Sequence, residues 1–138
     1  MVKLLMGAKG SGKTKILVDL VTEAVKEGSG DVVVIERGRD LTYDIPYQAR
    51  LIDAGAYDIG SYEFLKGFLC GLHSGNYDIT HIFIENFFKI VNDKNEEVFV
   101  SFIEWMKLFA EKENIDFILS LSSDANSAPE AIRDLIIE

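Results

Sequence analysis

Residues 6–14 read MGAKGSGKT: three glycines, a serine and a lysine-threonine pair directly after the apolar run Val2–Met6. Gly7-Ala8-Lys9-Gly10-Ser11-Gly12-Lys13-Thr14 matches G-x-x-x-x-G-K-[ST] at every fixed position. Consecutive backbone N–H groups cradle phosphate oxygens only when the chain takes conformations that glycine supplies. A helix beginning there turns its positive end and its free amides toward the anion. In that arrangement Lys13 reaches the β- and γ-phosphates and the Thr14 hydroxyl ligates Mg²⁺. An ordinary glycine-rich turn is the competing reading. With glycine at about 7% of residues, a chance match in a chain this long has a probability of roughly half a per cent. The dinucleotide pattern G-x-G-x-x-G fails, because Lys15 stands where glycine or alanine is wanted. Lys9 adds a second cation that either helps hold phosphate or is solvated.

Working outward, strand and helix patterns alternate. Residues 2–6 and 31–36 (DVVVIE) read as buried strands, and residues 13–27 as a helix stopped by Gly28 and Gly30. Leu41–Ile45 and Gln48–Ile52 flank Pro46-Tyr47 as a weak hairpin, and Ala56–Ile59 reads as a short strand. Residues 62–74 predict a helix, 80–85 (THIFIE) a strand, 97–113 an amphipathic helix and 116–121 (DFILSL) a strand. Ser127-Ala-Pro-Glu130 has the letters of a capping box opening a last helix through Ile137. Strands spaced by helices imply a three-layer α/β/α sandwich with a mostly parallel central sheet of 4–5 strands, in one domain spanning residues 1–138. Such sheets bind ligands at the carboxyl ends of their strands. That rule gathers residues 7–14, Glu85 and Ser120–Asp124 on one rim.

His81-Ile-Phe-Ile-Glu85 is an apolar strand ending in an acid. A phosphate loop needs a second acid near Mg²⁺ at the end of a neighbouring strand, and Glu85 is favoured for it. Glu36 also ends a strand, so the choice stays open. Asn86 follows where many ATP-hydrolysing members of the phosphate-loop class have a glutamate. Asparagine can hydrogen-bond a water but cannot take its proton, so slow turnover is expected. Ser120 and Ser122 either sense the γ-phosphate or form a plain serine-rich loop. Arg37 and Arg39 either stabilise phosphoryl charge or are solvated, and Tyr43 and Tyr47 either stack on a base or pack in the hairpin. His73 and His81 lack partners at zinc-site spacing.

The chain holds 138 residues with a net charge of −9, carried by residues 51–138, while residues 1–50 are nearly neutral. An acidic chain argues against non-specific nucleic-acid binding. No apolar run is long enough for a bilayer span, and no signal-peptide pattern opens the chain. The single cysteine, Cys70, sits among Phe68, Leu69 and Leu72, reads as core packing and fits a reducing, cytoplasmic setting.

With the loop and the acidic strand in place, the chain resembles the P-loop NTPase superfamily. More narrowly, it is similar to short Firmicutes ATP-binding proteins labelled twitching-motility (PilT-like). The likeness runs through the loop at 7–14, YDIPYQARLID at 43–53, YEFLKGFLCGLHSGNYDITHIFIEN at 62–86 and the final strand and helix. It implies the P-loop NTPase fold and nucleotide binding with Mg²⁺. The implied binding set is Gly7, Ala8, Lys9, Gly10, Ser11, Gly12, Lys13, Thr14 and Lys15. Lys13 and Glu85 are the implied catalytic groups, and Thr14 and Glu85 the metal ligands. No Asn/Thr-Lys-x-Asp guanine-reading motif occurs, which tilts the nucleotide to ATP. Three functions follow as expectations. The first is a regulatory or switch-like ATP-binding protein with weak ATPase activity. The second is a small-molecule, nucleoside-type kinase, which shares the loop and acidic strand with thymidine kinases but here lacks their cysteine/histidine zinc lasso and arginine-bearing lid. The third is a non-enzymatic interaction module. Self-association or a protein partner stays open.

Overall fold

The computed structural model describes residues 1–137. The chain runs β1 (Val2–Met6), α1 (Lys13–Glu27), β2 (Asp31–Glu36), β3 (Arg50–Asp53), α2 (Tyr62–Gly75), β4 (Ile79–Ile84), α3 (Phe87–Ile90), α4 (Glu96–Glu113) and β5 (Asp116–Leu121). The five strands form one parallel sheet in the order β1-β5-β4-β2-β3. Beyond β1, Ile136 makes an isolated parallel bridge to Leu4, and the Ile137 N–H donates to the Leu4 carbonyl at 2.9 Å.

Strand side chains alternate between two cores, as the two-residue period requires. Leu5, Val32, Val34, Phe83 and Ile118 face α1, where Leu17, Val21 and Ala24 meet them. Leu4, Val33, Ile35, Ile82, Ile84, Phe117 and Leu119 face the other layer, built from α2, α3 and α4 through Leu65, Leu69, Phe87, Phe102, Ile103 and Met106. Helices on both faces give three layers, α/β/α. Each fully buried large side chain contributes about 1.5–3 kcal/mol, and Phe83, Phe87, Phe102 and Phe117 are among them.

Four expectations change. The hairpin at 41–52 does not form. Residues 39–49 are a chain of turns, with Asp44 N–H donating to Leu41 O at 3.0 Å and Ala49 N–H to Pro46 O at 3.0 Å. Leu41, Ile45 and Ala49 bury against the α1 side, and the three- and four-residue backbone bonds of this segment are those of turns rather than of a strand ladder. Only Arg50–Asp53 extends, and it pairs parallel to β2. Ala56–Ile59, read as a short strand, does not extend: Ala54–Tyr57 is a 3₁₀ turn capped by the Asp53 side chain, which accepts from Gly55 N–H. Cys70 is exposed rather than core. Helix α2 buries Tyr62, Leu65 and Leu69, and one residue further round the helix points away from that stripe. The last helix is replaced by two 3₁₀ turns, Ala125–Ser127 and Glu130–Leu135. Pro129 stays extended, and the Ser127 hydroxyl donates back to Asp124 O at 2.8 Å, so the capping box is not made. Ile132 and Leu135 bury at the three-residue spacing that suits a 3₁₀ turn. The short helix α3 had no sequence signal of its own.

Candidate functional site

Six residues connect β1 to α1. Gly10 and Gly12 hold φ of 84° and 92°, backbone that L side chains rarely adopt, with open space where a Cβ would stand. Conformation rather than crowding selects glycine at both. Gly7 differs: a Cβ there would lie 2.5 Å from Ser11 Oγ. The Ser11 N–H donates to Ala8 O at 3.1 Å and closes the turn. Helix α1 starts from Gly12 with no side-chain cap and no acid in its first turn. Its first N–H groups therefore have no side-chain acceptor and its dipole no compensating charge at that end.

Lys13 is buried, and its ammonium folds back over the loop to donate to Ala8 O at 3.1 Å. Ala8, Lys9, Gly10, Ser11, Gly12 and Thr14 are exposed. Lys15 is not drawn to the loop, since its Nζ lies 3.7 Å from Asp19 Oδ2 on the outer side of α1.

Glu85 follows β4, and its N–H still joins the ladder, donating to Ile35 O at 2.9 Å. Ser120, fully buried on β5, donates its hydroxyl to Glu85 Oε1 and accepts from Asn86 N–H at 2.7 Å. One hydroxyl thus fixes both the acid and the residue after it, and Asn86 is held at φ 50°. Glu85 Oε2 is buried without a hydrogen-bond partner. A buried carboxylate oxygen left so is costly unless a cation or donor meets it.

Both strand-ending acids reach one cleft of about 140 Å³. It is lined by Thr14, Glu36, Arg37, Asp40, Glu85 and Asn86, with Leu41 and Lys89 completing the wall. Burial holds the Glu36 carboxyl above the usual glutamate range. The Leu41 N–H works against that, and the neighbouring carboxylates of Asp40 and Glu85 add to it. That N–H donates to Glu36 Oε2 at 2.8 Å. Arg37 is anchored across the cleft by donating Nη1 to Lys89 O at 3.3 Å. Arg39 and Ser122 do not line it. Tyr43 and Tyr47 are 97% and 92% exposed, so neither packs in a hairpin.

Asp40 and Lys89 went unnoticed in the sequence, because nothing in an irregular turn or an unsuspected single-turn helix announces which cleft it borders. Among the described residues no three His, Cys, Asp or Glu side chains are grouped to hold a metal by themselves. Mg²⁺ does not require such a group, since it takes one or two protein oxygens and fills its octahedron with phosphate and water. Thr14, the unpartnered Glu85 Oε2 and an anion-ready loop fit that chemistry. Among the described residues no helix is long and apolar enough to cross a membrane. No protein-family model and no curated protein matches the chain.

Proposed function

We propose that the chain is a P-loop nucleotide-binding protein that holds ATP with Mg²⁺ and hydrolyses it slowly, as a regulatory or switch component. One juxtaposition carries this reading: the uncapped glycine loop stands on the same rim as a buried Glu85 oxygen with no partner, with Thr14 between them at the cleft. The loop amides and the start of α1 would receive the phosphates. Lys13, now held only by a backbone carbonyl, would exchange that bond for a phosphate oxygen, a stronger charge-assisted partner. Thr14 and Glu85 would hold Mg²⁺, which supplies charge neutralisation between phosphates. Asn86 would orient a water without deprotonating it, which supports slow turnover. The fully buried Ser120 keeps Glu85 and Asn86 in register for these roles.

The test is thermal unfolding of nucleotide-free protein with and without ATP and Mg²⁺. At 100 times the dissociation constant the ligand stabilises by about 2.7 kcal/mol. For a chain of this size that raises the Tm by about 8–10 °C. No shift with ATP, ADP, GTP or GDP overturns the reading.

A further inference from the structure

The cleft holds carboxylates besides that of Glu85, whereas the residue after Glu85 is an asparagine, which takes no proton. Three carboxylates line it: Glu36, Asp40 and Glu85. Glu85 is engaged by the Ser120 hydroxyl on one oxygen, and its other oxygen is the candidate for the cation. Asp40 is exposed on a turn. Glu36 alone is buried without taking part in the cation site, and it is oriented by a backbone donor, the Leu41 N–H on Oε2. The register of β2 against β4, with Ile35 beside Ile84, sets Glu36 next to Glu85 at the carboxyl end of the sheet. A general base must be aimed at the reacting oxygen from within hydrogen-bond reach, and Glu36 opens onto the cleft that Thr14 and Asn86 also line, oriented there by the Leu41 N–H.

We infer that Glu36 is the catalytic base of the slow hydrolysis, accepting on Oε1 the proton of the water that attacks the γ-phosphorus. This rests on the nucleotide-binding reading above. The water oxygen forms the new bond to phosphorus, and the bond from that phosphorus to the bridging oxygen breaks. ADP leaves with the electron pair, and the water's proton goes to the Glu36 carboxylate, which later releases it to solvent. Asn86 and Glu36 then divide the work, one orienting the water and the other taking its proton.

The experiment is single-turnover release of labelled γ-phosphate from ATP and Mg²⁺ by full-length wild type, Glu36→Gln, Glu36→Asp and Asp40→Asn. A Mg²⁺ titration of ATP binding runs alongside. Glutamine keeps an oxygen for the Leu41 N–H, so the variant has a route to the same fold. Expected for Glu36→Gln is a fall in rate of at least about 100-fold, with ATP affinity and the Mg²⁺ midpoint within threefold of wild type. Glu36→Asp, which keeps the charge one methylene back, recovers more than a tenth of the rate. It carries the test if the glutamine variant does not fold. The inference is overturned by a Glu36→Gln rate within threefold of wild type, or by a shift in the Mg²⁺ midpoint that accounts for the loss. It is equally overturned by a large loss in Asp40→Asn alone, or by wild type that binds ATP without releasing phosphate. Absence of ATP binding by wild type strikes the underlying reading instead, so the two failures are distinguishable.

Discussion

Replacing Ser120 by alanine removes one oxygen atom and leaves two partners stranded. The hydroxyl donates to Glu85 Oε1 and accepts the Asn86 N–H at 2.7 Å, in a position with no solvent exposure. A lost hydrogen bond to a charged group costs about 1.5–3 kcal/mol, and a buried N–H left unpaired about 1–3 kcal/mol. Because Glu85 Oε2 already lacks a partner, the variant would hold a carboxylate with neither oxygen satisfied. The expected destabilisation is therefore about 3–5 kcal/mol, a large share of the total stability of an ordinary domain. Urea denaturation followed by circular dichroism at 25 °C measures it through the midpoint at constant slope. Ser120→Thr keeps the hydroxyl but adds a methyl to a closed site, and should cost only about 1–3 kcal/mol. If Ser120→Ala unfolds within 0.5 kcal/mol of wild type, the hydroxyl does not bridge the acidic strand end, and the account of Glu85's orientation falls with it.

Lys13→Ala should weaken ATP binding by about 10- to 150-fold, the worth of a charge-assisted bond, without unfolding the protein; isothermal titration calorimetry reads it. Gly67→Ala and Gly71→Ala should each stabilise by about 0.5–1 kcal/mol. Both glycines lie inside α2, and an added Cβ at either meets nothing within 4 Å; chemical denaturation that shows no gain, or a loss, contradicts this. Gly12→Ala should cost about 1–2 kcal/mol despite equally open space, because its φ of 92° is unfavourable for any side chain. The Glu36 carboxyl has a pKa raised on folding, so its contribution is fully present below the ordinary glutamate pKa and is lost as pH rises through the folded value. Glu36→Gln should accordingly gain stability relative to wild type between pH 4 and pH 7, measured as the difference in denaturation midpoints; a flat or falling difference contradicts the burial argument.

The parts of the fold that were legible in the sequence are those where one local signal dominates. β1, α1, β2 and β5 fall on the expected residues because a β-branched or apolar run, or a 3.6-residue stripe, ends at a glycine or a polar turn. Residues 37–60 were illegible for a physical reason: the four-residue spacing of Leu41, Ile45 and Ala49 fits one face of a helix and of a strand alike, while the backbone makes turns, and what fixes them is burial against α1. The C-terminal segment misled because Ser127 and Glu130 carry cap letters, yet Pro129 is extended and the backbone bonds as 3₁₀ turns. At the site, the loop and Glu85 could be found from spacing alone. The convergence of Glu36 on the same cleft could not, because it depends on β2 lying next to β4, and strand order is a tertiary fact.

The place of β1 in that order has a mechanical consequence. On one side β1 is bonded to β5, and on the other the Ile137 N–H reaches Leu4. Both neighbours belong to one stretch, residues 116–137, which leaves the sheet after Leu121, passes through the two 3₁₀ turns and returns along the opposite edge of β1. The strand that presents the glycine loop is therefore gripped from both sides by a single continuous segment, like a rod in a clip. The β1 amides should open to hydrogen exchange together with those of 116–121, as one cooperative unit. Tension on the clip and occupancy of the loop then become two readings of the same strand's position.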